Sequence, residues 1–181
     1  EYLMFKHDEI TNNPILDGFG RMIYRDEYYI DGLNCTADTF DIECKTINEL
    51  FKKNRKKEEI KSHHYIISFD PSDVTEHGLT GVKAQALCRE FAEKNFPGYQ
   101  ALIVTHTDGH NGSGNIHTHI VINSVRKYAV ERQGYMNKVH EHEAGFKHRS
   151  TKLFLQHLQK EVMAMCEREG LHQVDLLSPA A

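Results

Sequence analysis

The stretch HTDGHNGSGNIHTHIVIN, residues 106–123, decides the fold of this chain. Its second half alternates polar and apolar side chains, which is typical of a half-buried β-strand. Because side chains two positions apart on a strand point to the same face, His117 and His119 are predicted to lie side by side. The neighbouring isoleucines fall on the opposite face, where only Thr118 is polar. One face can therefore enter a core while the other presents two imidazoles.

A third histidine can complete this group. His106 ends the apolar stretch at residues 101–105, and a hairpin across the glycine-rich loop would bring it next to His117 and His119. Three converging imidazoles make a metal site that leaves coordination positions open, as catalytic sites require. His110 is the alternative third ligand. It lies inside the glycine-rich loop, whereas a strand end has a fixed direction, so the pattern favours His106.

Length and composition indicate one globular domain. The chain has 181 residues, 39% hydrophobic and 27% charged, and no apolar run approaches the about 20 residues that span a bilayer. Its four cysteines have no CxxC spacing. Reduced thiols in a cytoplasmic protein are therefore expected, rather than a thiolate zinc site. Because residue 1 is Glu rather than Met, residues 1–181 are expected to be a single domain from a longer protein. No signal peptide is visible in these residues.

Basic residues are clustered although the formal net charge is −4. Charge patches decide electrostatic binding more than totals do, so the clusters are candidate contacts for a nucleic-acid backbone. A solvated helix face is the alternative for each cluster. In the first cluster, Glu58 and Glu59 also dilute the positive charge. The candidate contacts are Lys52, Lys53, Arg55, Lys56, Arg126, Lys127, Lys147 and Arg149.

The order of predicted elements is mixed. Apolar spacing predicts helices at residues 38–57, 81–95 and 151–168, the second capped by Thr80 and the third ended by Gly170. Strands are predicted at residues 62–69, in both arms of the histidine hairpin, and at 173–177. Residues 2–7 read as the end of a helix, 12–33 as loop-rich and 127–147 as irregular. We therefore predict an α+β fold, with helices on one face of a central antiparallel sheet and the three-histidine site on the other.

The histidine string resembles the third motif of HUH-type relaxases, specifically the MobA/MobL mobilisation nucleases of plasmids and integrative elements. Residues 2–9 (YLMFKHDE), 61–71 (KSHHYIISFDP) and 172–179 (HQVDLLSP) are similar to a Gram-positive branch of that family. The resemblance covers nearly the whole chain. The histidine motif is its specific part, and the flanking stretches indicate the branch.

The resemblance implies an activity. Relaxases nick one DNA strand at an origin of transfer and stay joined to its 5′ phosphate through a tyrosine. The matching tyrosine here is Tyr2, which is expected early in the first helix. Tyr24, Tyr28 and Tyr29 are rivals, because they lie in a segment where a mobile nucleophile could also sit. The implied partner is single-stranded or hairpin DNA, together with accessory relaxosome proteins and a coupling protein in the bacterial cytoplasm.

The resemblance also implies a divalent metal ion. Mn²⁺ and Mg²⁺ are the expected ions in function, and Zn²⁺ or Ni²⁺ would also fit. Asp108 matches an acidic position that orients a ligand or assists proton transfer. One departure is Asn115, where many relatives have a histidine. The matching ligands are His106, His117 and His119.

Two other function classes fit parts of the pattern. The same three histidines would serve a metal-dependent hydrolase or oxygenase acting on a small molecule. A non-catalytic DNA-binding accessory domain would retain the basic clusters.

Strand alternation lets only one of His63 and His64 face the histidine site, and packing or surface exposure is the favoured interpretation of both.

Overall fold

A four-stranded antiparallel sheet forms the centre of the computed structural model, which describes residues 2–8 (Tyr2 by its backbone only), 10–108 and 115–178. The spatial order of the strands is β1-β3-β4-β2. The strands are β1 (Tyr28–Leu33), β2 (Ser62–Ser68), β3 (Ala101–His106) and β4 (His117–Asn123). The helices are α1 (Phe40–Leu50), α2 (Pro71–Thr75), α3 (Gly81–Asn95) and α4 (Lys152–Glu169). This confirms the predicted α+β class.

The central strands β3 and β4 pair as the sequence predicts. Their register places His106 opposite His117, and Val104 opposite His119. Strand alternation then turns Ile103 and Ile120 to the other face, where both are fully buried. The hairpin therefore separates a histidine face from an isoleucine face.

The two long helices cover the isoleucine face. Helix α3 begins at Thr80, whose side chain accepts a hydrogen bond from the Lys83 backbone, and it buries Ala84, Cys88 and Phe91. Helix α4 begins with the same kind of cap and ends at Gly170, a left-handed residue with φ of 66°. Burying one large apolar side chain of this core stabilises the fold by about 1.5–3 kcal/mol. Within the described residues, no helix is both long and apolar enough to cross a membrane.

A buried polar network lies on the isoleucine face of the sheet, at the residue pair next to His106 and His117. The Thr105 hydroxyl donates to Gln85 Oε1 at 2.7 Å and lies 2.7 Å from the Thr118 hydroxyl. Gln85 Nε2 donates to the Ile103 carbonyl and to a carboxylate oxygen of Asp31. Thr118, the one polar side chain on the core face of β4, is therefore hydrogen-bonded. The network links α3 to three strands of the sheet.

Replacing Gln85 tests this network. Gln85→Met keeps the side-chain volume close to the original but removes the Gln85 hydrogen bonds to Thr105, Ile103 and Asp31. We expect the free energy of unfolding to fall by about 1–3 kcal/mol, the cost of leaving buried polar groups unsatisfied. Urea denaturation followed by circular dichroism measures it. Gln156→Met, at an exposed position of α4, is the matched control and should change stability little; equal losses in both variants would contradict the network's role.

Two predictions for the N-terminal segment are wrong. Residues 2–7 form a short 3₁₀ turn at Tyr2–Met4 followed by isolated β-bridges, not a helix end. The segment at 12–33 contains strand β1, which pairs with β3 and forms one edge of the sheet. Its turn-forming residues precede the strand and form a ribbon, with bridges between Phe5 and Tyr24 and between Leu16 and Met22.

Two further boundaries differ from the prediction. Helix α1 ends at Leu50 rather than residue 57, because Lys52 and Asn54 adopt left-handed φ values of 55° and 56° that a right-handed helix cannot contain. Residues 173–177, all within the described part of the chain, form no strand. The Asp175 carboxylate instead accepts hydrogen bonds from the Leu177 and Ser178 backbones, which closes a turn.

Candidate metal centre

Three histidines converge at one end of the histidine face of the sheet. His106 ends β3, while His117 and His119 begin β4, and the β3–β4 register brings their side chains to the same side. The ring centroids are 4.8–5.1 Å apart. One nitrogen from each ring lies within 4.8 Å of the other two. The structure therefore brings together the three side chains that the sequence predicted as ligands, and His110 lies outside the described residues.

Two of the ring nitrogens are at the spacing that metal ligands have. His106 Nδ1 and His117 Nε2 are 3.2 Å apart, and two imidazole nitrogens on one ion at about 2.1 Å lie about 3.0–3.4 Å apart. The outer nitrogen of His106, Nε2, lies 2.6 Å from the Leu3 carbonyl and donates to it, which leaves the Nδ1 lone pair for an ion. The outer nitrogen of His117 lies 3.3 Å from the Asn115 carbonyl. Such contacts fix the tautomer and direction of a ligating ring.

Burial keeps two of these rings neutral. His106 is 1% exposed and His119 is 8% exposed. Loss of hydration on burial lowers the pKa of His106 to about 4 and that of His119 to about 3, and the charge of Arg25 contributes to both shifts. Because a ligating imidazole must be neutral, these two rings can bind an ion at neutral pH without first losing a proton.

This protonation state predicts how many protons are released on metal binding. His106 and His119 have folded pKa values of about 4 and about 3, so both are already neutral at about pH 5.5. Their affinity for an ion is lost only as the pH falls through those values. We therefore expect at most one proton released per Co²⁺ bound at about pH 5.5. Calorimetry in buffers of different ionisation enthalpy measures this number. Release of two or three protons would contradict the neutral state of the buried rings.

His64 is a fourth histidine at this centre. Of the adjacent pair on β2, His64 faces the three histidines, and its Nε2 lies 2.8 Å from His119 Nδ1. His63 lies on the other face, with its ring edge-on to His148 at 4.7 Å. Strand alternation correctly predicts that only one of the two histidines faces the site. It does not predict a role for His64, because packing or surface exposure is the favoured interpretation of both residues from sequence. The β2–β4 register, which the sequence alone does not reveal, is what selects His64.

Asp108 and Arg25 form an ion pair close to the histidines. Arg25 Nη1 donates to Asp108 Oδ2 at 2.7 Å, and the Arg25 side chain is only 11% exposed. The sequence predicts that Asp108 orients a ligand or assists proton transfer. The contact seen for its carboxylate is with the Arg25 guanidinium and not with a histidine ring. Arg25 was not predicted as a site residue. The two residues are 83 positions apart, and no local pattern signals their meeting.

The backbone that follows Tyr2 is fixed at the metal centre. The Leu3 carbonyl accepts from His106, and the Met4 carbonyl accepts from the Arg25 backbone at 3.0 Å. The Tyr2 side chain lies outside the described part of the structure. The main chain one residue after Tyr2 therefore contacts His106.

The three rival tyrosines differ in position. Tyr28 pairs with His106 in the β1–β3 register and therefore shares the histidine face. Tyr24 is 57% exposed, and its ring stacks on Phe5 at 4.5 Å. Tyr29 falls on the opposite face, where its hydroxyl donates to the Glu27 carboxylate at 2.6 Å. That hydrogen bond raises the pKa of Tyr29 and makes it a poorer nucleophile.

The predicted phosphate contacts differ in how exposed they are. Lys52, Lys53, Arg55 and Lys56 are exposed in the loop after α1. Lys127, Lys147 and Arg149 are half-buried and already contact protein groups: the Asn34 carbonyl, Glu59, and Asn137 with Glu141.

The prediction for Arg126 needs correction. Its side chain is 3% exposed, donates to the Pro97 carbonyl and lies over the Tyr99 ring, so it belongs to the core and not to a DNA-binding surface.

The exposed basic loop is attached to the far end of the sheet. Asn54 Nδ2 donates to the Ser124 hydroxyl at 2.8 Å, and the Ser124 backbone donates to the Lys61 carbonyl. At about 3.3 Å per strand residue, this end of β4 is about 20 Å from His117.

An antiparallel sheet with helices on one face and three converging histidines on the other is the arrangement that the resemblance to HUH-type relaxases predicts. The family described as relaxase, MobA/VirD2-like, nuclease domain matches residues 22–171. The chain therefore belongs to this family. The matched span contains all three histidines and begins after Tyr2, so the role of Tyr2 does not follow from the match.

Relatives with curated names agree with this assignment. Two proteins from Staphylococcus aureus, each called Protein rlx, are 32% and 30% identical to this chain over 140 residues. Each alignment covers 77% of this chain, but only 36% and 35% of the respective relative. The chain therefore spans about a third of the length of the curated relatives it matches.

Proposed function

We propose that this domain nicks and rejoins one strand of DNA at an origin of transfer by tyrosine transesterification, in conjugative transfer or mobilisation. The observation that carries the proposal is the convergence of His106, His117 and His119 on the sheet face opposite α3 and α4 in a relaxase-family chain. The bacterial cytoplasm, accessory relaxosome proteins and a coupling protein are part of the proposal.

The three histidines fit a divalent ion, which would supply positive charge to polarise the scissile phosphate. Two of their outer nitrogens face backbone carbonyls, which keeps the inner nitrogens directed at one point. Mn²⁺ or Mg²⁺ is the proposed ion in function, with Zn²⁺ and Ni²⁺ as substitutes.

Tyr2 is the proposed nucleophile. Its hydroxyl oxygen attacks the phosphorus, its phenol proton passes to a base, and the bond to the 3′ oxygen breaks as that oxygen takes up a proton. The DNA 5′ end stays attached as a phosphotyrosine ester, which conserves the ester bond for rejoining. We assign the base role to Asp108, whose carboxylate is held by Arg25. Arg25 adds a second positive charge beside the phosphate site.

Adduct formation tests the nucleophile. The wild-type domain should form a covalent adduct with single-stranded oligonucleotides that tile the transfer origin of its own genetic element, and mass spectrometry should place the nucleotide on Tyr2. Tyr2→Phe keeps the ring but lacks the attacking oxygen, so it should bind DNA and metal normally and give no adduct.

Tyr28→Phe is the matched control and should still form the adduct, whereas His117→Ala should lose metal binding and adduct together. Attachment at Tyr28 would overturn the assignment of Tyr2 within the same mechanism. A free 5′ phosphate without any adduct would indicate a water nucleophile and would exclude the tyrosine mechanism.

The basic loop after α1 is the proposed contact for DNA phosphates. On single strands, each neutralised phosphate contributes about −0.7 to the slope of log K against log salt. The triple variant Lys52→Ala, Lys53→Ala, Lys56→Ala should therefore reduce the magnitude of that slope by about 2. Fluorescence anisotropy at several salt concentrations measures it. Lys160→Ala, on α4 behind the sheet, is the control; an unchanged slope in the triple variant would move the DNA path elsewhere.

A further inference from the structure

His64 has a direct contact with the metal centre that the proposed mechanism does not use. It lies on β2 opposite Val121, so its side chain is on the same sheet face as His119. His64 Nε2 is 2.8 Å from His119 Nδ1, and the two ring centroids are 5.0 Å apart with planes inclined by 33°. The distance between the two nitrogens is that of a hydrogen bond.

The contact completes a pattern shared by the three predicted ligands. The outer nitrogens of His106 and His117 face the carbonyls of Leu3 and Asn115, respectively. The outer nitrogen of His119 faces a side chain instead. Since His119 is 8% exposed, its Nδ1 needs a partner inside the protein, and an imidazole that binds an ion through Nε2 carries its proton on Nδ1.

We propose that His64 is a positioning residue for the metal centre: its Nε2 accepts a hydrogen bond from His119 Nδ1–H and directs His119 Nε2 at the ion. This inference rests on the proposed function, because it presumes that the three histidines hold a metal ion. His64 is also the one support among the three that a point mutation can remove, since the other two are backbone carbonyls. The adjacent His63 cannot substitute for it, because it packs against His148 on the opposite face.

Metal affinity tests the proposal. His64→Leu removes the acceptor, and His64→Gln restores one, because the glutamine Oε1 can occupy nearly the position of the histidine Nε2. We expect His64→Leu to weaken Co²⁺ binding about 10–100-fold in calorimetry, the usual effect of losing such a support. His64→Gln should stay within about threefold of the wild type, by the same hydrogen bond. Ser62→Leu, an exposed residue two positions before His64 on the same face of β2 and farther from the three histidines, is the matched control and should bind normally.

Three outcomes separate this inference from the proposed function. Normal Co²⁺ affinity in His64→Leu, with binding lost in His119→Ala, would overturn the role of His64 and leave the metal site standing. Normal affinity in His119→Ala would overturn the metal site itself. Equal loss in His64→Leu and His64→Gln, with thermal unfolding unchanged, would make His64 a ligand rather than a positioning residue.

A measurement on the unmodified protein does not depend on any variant folding. In the ¹⁵N-labelled, Zn²⁺-loaded domain, nuclear magnetic resonance should show the His119 proton on Nδ1 and a scalar coupling from that nitrogen to His64 Nε2 across the hydrogen bond. A His119 proton on Nε2, or no coupling between the two rings, would overturn the proposal.

Discussion

The pairing of His106 with His117 across the two central strands is the constraint on which the rest of the structure depends. Side chains alternate along a strand, so a register shift of one residue would move the β4 histidines to the core face and the isoleucines to solvent. Register is therefore fixed wherever one face must be buried. Here the fully buried Ile103, Ile120 and Ile122 provide that requirement, and the histidine face follows from it.

Polar groups reinforce the same register from the core side. Thr105 and Thr118 are directly paired in the β3–β4 ladder, and Gln85 reaches them from α3. A shifted pairing would leave these buried groups without partners, at a cost of about 1–3 kcal/mol each. Through Gln85, helix α3 stabilises the pairing of β3 and β4, the two strands whose ends carry the histidines. Packing on the core face therefore fixes the positions of the histidines on the other face.

Local patterns in the sequence predict the parts of the fold and site that local physics determines. Alternation around His117 predicts a two-faced strand, and Thr80 and Gly170 mark helix ends that the structure confirms. Two failures are local: left-handed residues end α1 early, and a turn closed by Asp175 replaces the strand predicted at 173–177. The others depend on contacts between distant segments. Strand β1 is hidden by the turn residues before it, the Arg25–Asp108 pair joins residues far apart in sequence, and Arg126 appears as a surface charge until its packing on Tyr99 is known.

The central claim is that three imidazoles hold one divalent ion whose open positions take a DNA phosphate. Electron–nuclear double resonance of the Mn²⁺-loaded domain tests it most directly. We expect ¹⁴N couplings from three histidine rings, and a ³¹P coupling that appears when saturating single-stranded oligonucleotide is added. A Mn²⁺ ion without histidine couplings, or one that shows no ³¹P coupling in the DNA complex, would contradict the account.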